Sequence, residues 1–175
     1  MKLKIGVMGS ASDINEKEKK IAFLIGKEIA KNGCILINGA TTGLPDGAAK
    51  GAKSENGFVV GISPATNLEE HKKKYGFPTD NIDVIIFTGF GKTGRNILNI
   101  RSSDGVIILK GNIGTLNEYT AAFYEAKVIG VLTGIGGIAD EIKKLNKVLV
   151  NKNGSNIIFD SEPGRLVKRV VDALK

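Results

Sequence analysis

The 175-residue chain has one cysteine, one histidine, no tryptophan and only four prolines. A lone Cys34 excludes an internal disulfide framework and any zinc site built on several thiolates, and it fits a reducing compartment. Its own expected place is the core, as a small hydrophobe. The single histidine, His71, argues against a histidine-rich metal centre and against a Ser-His-Asp triad. It sits in a polar stretch and is read as a solvated side chain. Apolar runs fall short of the roughly 18 residues a membrane helix needs. The N-terminal apolar run is also too short for a signal peptide and reads as a first strand. The expected location is the cytoplasm, with no membrane partner.

What is present is ordinary globular composition, 42% hydrophobic and 25% charged, at a length that suits one domain over residues 1–175. Glycine is the excess, at 23 residues, which suggests tight turns and close backbone approaches. The net charge is +7, yet only four of the 25 basic residues are arginine: Arg95, Arg101, Arg165 and Arg169. The densest basic cluster, residues 72–74, is short and has no interleaved aromatics. We read a lysine-rich solvated surface that suits small anionic metabolites, and expect no nucleic-acid partner.

Short apolar runs alternate with longer amphipathic stretches. Strands are expected over 3–8, 34–37, 58–62, 84–87, 105–109, 128–132 and 148–150. Between them lie a helix capped by Ser12 or Asp13 and closed at Asn32-Gly33, and helices over 45–56, 93–102, 115–126, 138–145 and 163–174. The stretch after Pro64 is expected to be a polar surface loop. Near-continuous apolar strands separated by helices predict an α/β fold, a doubly wound parallel sheet in a Rossmann-like three-layer α/β/α arrangement.

In such a sheet, ligands bind beyond the carboxyl ends of the strands, near the reversal of strand order. Three of those ends carry small residues: Gly9-Ser10, Gly39-Ala40-Thr41-Thr42-Gly43 and Gly111-Asn112-Ile113-Gly114-Thr115. Each precedes a helix whose first amides are unpaired and partly positive, so glycine there lets an anion approach and a hydroxyl adds a donor. One such loop could serve a turn alone; three at one sheet edge point to a phosphate-bearing ligand. The GxxxxGK[ST] and GxGxxG spacings are both missing.

Arg95-Asn96, Ser103-Asp104 and Gly111-Asn112-Ile113-Gly114-Thr115 followed by Glu118 together resemble the signature of the Lonely Guy (LOG) family. Asn38-Gly39-Ala40-Thr41-Thr42-Gly43-Leu44 is similar to that family's glycine-rich loop, and Gly61-Ile62-Ser63-Pro64 to its strand end. The resemblance implies a Rossmann-like nucleotide-binding fold, usually a homodimer, and in classical members hydrolysis of cytokinin nucleoside 5′-monophosphates to free base and ribose 5-phosphate. The Arg-Asn pair and the Ser-Asp strand start resemble a related branch that includes molybdenum cofactor carrier proteins. The sequence departs from the classical pattern at Lys110 (Pro), Asn112, Asn38 and Ala40 (Gly), and Asn96 (Lys).

Within that resemblance Arg95 and Glu118 are the candidate catalytic pair. Breaking an N-glycosidic bond builds positive charge on the ribose, which a carboxylate stabilises, while a guanidinium fork holds phosphate or assists the leaving base. Alone, Glu118 reads as a favourable carboxylate in a helix's first turn. Asp104 suits a structural cap as well as a ligand contact, and Lys110 either reaches the anion or points to solvent. The expected function is binding of a nucleotide or other phosphorylated small molecule, with phosphoribohydrolase activity as its catalytic form. The alternatives are a non-catalytic carrier of a molybdopterin-type ligand and a nucleotide sensor. No metal or other cofactor is called for.

Overall fold

A run such as Gly-Val-Ile-Ile-Leu at 105–109 is stable only where both faces of a strand are covered, and each of its residues is buried. The structure, a computed structural model, describes residues 1–149 and 154–175. Its first half runs β1 (Lys4–Gly9), α1 (Glu16–Lys31), β2 (Ile35–Asn38), α2 (Leu44–Lys53), β3 (Val59–Ser63), α3 (Leu68–Lys73) and β4 (Val84–Phe87). Its second half runs α4 (Gly91–Ser102), β5 (Gly105–Leu109), α5 (Ile113–Tyr124), β6 (Val128–Leu132), α6 (Ile138–Leu145), β7 (Asn156–Asp160) and α7 (Pro163–Asp172).

All the pairings are parallel, in the order β4-β3-β2-β1-β5-β6-β7. The chain builds outward from β1 to β4, then crosses to β5 on the other side of β1. Registers such as Ile5↔Leu36 and Ile5↔Gly105 set β1 between the two halves. Helix α1 packs on α2 and α7 on one face, and α5 packs on α4 and α6 on the other. This is the expected Rossmann-like three-layer arrangement, with its topological switch between β1 and β5.

Three local expectations need correction. Helix α1 starts at Asn15, not at Ser12 or Asp13. The Asn15 side chain accepts from the Glu18 amide at 3.0 Å while Glu18 accepts from the Asn15 amide at 2.9 Å, a reciprocal cap. Asp13 has φ of 54°, outside the extended region a cap residue uses. The last strand is Asn156–Asp160, not 148–150: Ile158 is buried against the core, whereas Val148 stands 76% exposed after α6. Val150 lies outside the described residues.

The polar stretch after Pro64 contains α3, and His71 is fully buried, not solvated. Its Nδ1 lies 2.9 Å from Ser63 Oγ, and its Nε2 donates to the Pro78 carbonyl at 3.2 Å. The ring stands edge-on to Phe77 and Phe87, with centroids 5.6 Å and 6.0 Å away. A histidine can be buried when both ring nitrogens find partners. Here those partners come from β3 and from the far end of the loop, beyond the reach of a local pattern.

Helices α1 and α2 meet closely enough to need glycine. A Cβ at Gly26 would collide with the Ala48 carbonyl, and one at Gly51 with the Phe23 carbonyl. Gly26→Ala is expected to destabilise the protein by about 1–3 kcal/mol through overpacking, although alanine favours a helix over glycine by roughly 0.5–1 kcal/mol. Thermal denaturation checks this; an equal or higher Tm would show that the two helices have room to part.

Candidate functional site

A cleft of about 600 Å³ opens at the switch point, beyond the carboxyl ends of β1, β2 and β5. Of the residues singled out from the sequence, Gly9, Ser10, Gly39, Thr41, Thr42, Gly111, Asn112, Gly114, Thr115, Arg95 and Glu118 all line it. The three loops and the Arg-Glu pair therefore meet in one place. Three expected members stand outside it. Ala40 is fully buried behind the end of β2, its amide donating to Asn38 Oδ1 at 2.9 Å. Gly43 turns its Cα toward the Ser10 and Ala11 backbone. Ile113 points outward at 77% exposure. In each case the chain must turn sharply to enter its helix, and the turn carries that residue away from the cleft.

Arg95 organises the floor. It lies on α4 and is 7% exposed, its guanidinium over Gly39. A Cβ at Gly39 would collide with the guanidinium carbon and both terminal nitrogens, so the loop glycine makes room for an arginine. Nη1 reaches Glu118 Oε1 at 3.5 Å. Asn99 joins them: with its nitrogen donating to the Asn38 carbonyl at 3.1 Å, its oxygen accepts from Arg95 Nη1. Among the described residues, Arg95 Nε and Thr41 Oγ1 are the buried side-chain polar atoms with no hydrogen-bond partner. Both residues line the cleft.

Burial pushes the Glu118 carboxyl up to about 7, against the pull of the Arg95 charge. Burial likewise lowers Arg95 from the ordinary guanidinium value, while Glu118 works the other way. The guanidinium keeps its proton across the working range, so the pair has one fixed charge and one that titrates near neutrality.

Lys110 lines the cleft and does not simply point to solvent, but its ammonium is already engaged. Its ammonium donates to both Glu18 oxygens, at 2.8 and 3.0 Å, and to the Asp13 carbonyl at 2.8 Å. Burial opposes the charge on Glu18, but the Lys110 hydrogen bond and the Asn15 amide hold its carboxyl below the usual range. The lysine thus ties the loop after β5 to the loop after β1. Asp104, at the opposite end of the sheet, is a structural partner: it accepts from the Lys4 amide at 2.8 Å and pairs with the Lys4 ammonium at 2.9 Å.

The cleft also contains Asn96, named above only as part of the Arg95-Asn96 pair, and residues the sequence reading did not select, chiefly Phe77, Lys92 and Thr93. Lys92 stands three residues before Arg95, one helical turn away, and that spacing was the available signal. Phe77 comes from the stretch read as a surface loop and offered none. Among the described residues, no three His, Cys, Asp or Glu side chains gather as a metal-holding group, and no helix is long and apolar enough to cross a membrane.

A Rossmann-like fold with a ligand-sized cleft at its switch point defines the class of protein. The chain belongs to the SLOG cluster4 family, whose profile matches residues 2–167. That places it in the LOG-like superfamily. It is 38% identical over 130 residues to an uncharacterized protein of Archaeoglobus fulgidus, covering 74% of this chain and 80% of that one. Among solved structures it is similar to the molybdenum cofactor binding protein of the phototrophic bacterium Rippkaea orientalis, with a TM-score of 0.82 and 28% identity over 100% of this chain and 99% of that one. The molybdenum cofactor carrier protein of Chlamydomonas reinhardtii gives a TM-score of 0.81 and 27% identity over 99% of each chain.

The raised Glu118 carboxyl has a measurable signature. Because it is pushed from 4.5 to about 7 on folding, the stability it contributes is full below the unfolded value and lost as pH rises through the folded one. Glu118→Gln is expected to leave Tm unchanged at pH 4.5 and to raise stability by up to about 3 kcal/mol at pH 8. Melts at the two pH values decide it; a difference independent of pH would mean the carboxyl titrates normally.

Proposed function

We propose that the cleft binds a phosphorylated heterocyclic small molecule of the molybdopterin type, and that the protein serves as its carrier. The observation that carries this reading is the pair of unpartnered donors, Arg95 Nε and Thr41 Oγ1, buried at the wall of an open cleft. A buried polar group without a partner costs on the order of 1–3 kcal/mol, a cost an anionic ligand removes. Helix termini support the same ligand class: α4 has no side-chain cap, and Asn112 caps only the Ile113 amide of α5. Two helix N-termini therefore bring amides and positive dipole ends to the rim. Lys92 adds an ammonium there. The similarity to molybdenum cofactor binding and carrier proteins supports a pterin over other phosphate esters.

A second reading has its own observation, the Glu118 carboxyl that titrates near neutrality beside a fixed guanidinium. In its ionised form it would take a proton from water attacking the anomeric carbon of a nucleoside 5′-monophosphate. The bond to the base breaks, the base leaves with a proton, and ribose 5-phosphate remains.

The protein purified from a host that makes the cofactor is expected to release a fluorescent oxidised pterin together with molybdenum on denaturation. Thr41→Val and Arg95→Met should each reduce that yield about tenfold or more, the effect of losing a hydrogen bond to a charged group. Base released from nucleoside 5′-monophosphates by the wild type, and lost in Glu118→Gln, would favour the hydrolase instead. Neither pterin nor base release would overturn both readings.

A further inference from the structure

We propose that Phe77 is the platform on which the ring system of the ligand stacks, so that the site selects phosphate esters of planar heterocycles over those of simple sugars. This rests on the reading that the cleft takes a phosphorylated ligand, and it adds what holds the other end.

Phe77 is the one aromatic side chain among the described residues lining the cleft, in a chain only 6% aromatic. Its ring is half-buried and does not belong to the hydrophobic core, so packing of the core does not account for it. It is nevertheless held firmly. The His71 ring meets it edge-on at 5.6 Å, and Tyr75 stacks on it at 5.4 Å and 27°. The Phe77 amide donates to the His71 carbonyl at 3.2 Å, and His71 Nε2 fixes the next residue through the Pro78 carbonyl. The His71 ring is anchored in turn to Ser63 at the end of β3. A buried histidine with both nitrogens engaged thus serves to set one phenyl ring at the cleft wall, which Phe77 lines.

A ring fixed before binding loses little freedom when a ligand arrives, so its stacking energy goes into affinity. Aromatic stacking reads the π-face common to purines and pterins without choosing among their edges. The phosphate half of the site and the ring half are therefore separable, the first built on Arg95, Thr41 and helix ends, the second on Phe77.

Binding of three probes to the full chain tests this: guanosine 5′-monophosphate, ribose 5-phosphate and guanosine. The wild type is expected to bind the nucleotide at least about tenfold more tightly than ribose 5-phosphate. Phe77→Leu, which keeps apolar bulk without a π-face, should remove that difference and leave ribose 5-phosphate affinity unchanged. Phe77→Trp should keep the difference. Because the chain has no tryptophan, its indole is a single fluorophore, quenched by guanosine 5′-monophosphate and by guanosine but not by ribose 5-phosphate. Equal wild-type affinity for nucleotide and ribose 5-phosphate would overturn the platform and leave the phosphate reading standing. Phe77→Leu weakening both ligands alike, in a variant that melts like the wild type, would also overturn it. Quenching by guanosine with no binding of ribose 5-phosphate would support the platform and overturn the phosphate reading.

Discussion

A positive charge buried at the reversal of a parallel sheet is the constraint around which this molecule is arranged. Arg95 is withdrawn from solvent and cannot shed its proton, so every neighbour must accommodate a fixed cation. Gly39 gives it space, Glu118 stands at ion-pair distance, and Asn99 links it to the end of β2. A fully compensated guanidinium would be structural. This one is incompletely compensated, with an idle Nε and a Glu118 partner that spends part of its time neutral. That surplus of positive charge at the floor of a cleft is what makes an anionic ligand the natural complement, as proposed above.

Around this centre the loops are held by ordinary polar chemistry. Lys110 occupies a position where the classical LOG pattern has proline, and its backbone has φ of 46°. Proline is locked near −65° and cannot adopt that conformation. The lysine thus permits a left-handed turn and then uses its ammonium to clasp Glu18 and Asp13. Ala40, at a glycine position of the same pattern, is also left-handed, at 49°. Asn112 sits at another glycine position with φ of −135°, where its side chain caps α5. Losing glycine at these places has produced a differently braced cradle, not a collapsed one.

Much of the architecture was legible in the sequence because a parallel sheet writes itself in uninterrupted apolar runs. Strands 105–109 and 128–132 were read with the bounds they have. The loops at the strand ends and the Arg95–Glu118 spacing located the cleft, since both depend on short-range order along the chain. What could not be read depends on partners far away in sequence. His71 looks polar until Ser63, Pro78 and two phenyl rings enclose it, and Phe77, which packs on that ring, lines a cleft whose other walls are distant in sequence. The Asn15–Glu18 cap was visible as a pattern, but two other capping residues stood just upstream. The last strand was misplaced at 148–150 because a second short apolar run, unweighed there, is the one that pairs with β6.

The Lys110–Glu18 clasp joins residues separated by 92 positions, and the rest of the cleft is equally non-local. Nothing shorter than the span from β1 to the start of α6 holds the full set of walls. During synthesis, then, the cavity does not exist until the fifth strand has docked beside the first, and long-range closure of this kind is among the slower events of folding. A ligand of the kind proposed above would therefore enter only after folding, and would be gripped by both halves of the sheet. Its binding energy is shared by the whole cooperative unit, making occupancy a brake on global unfolding.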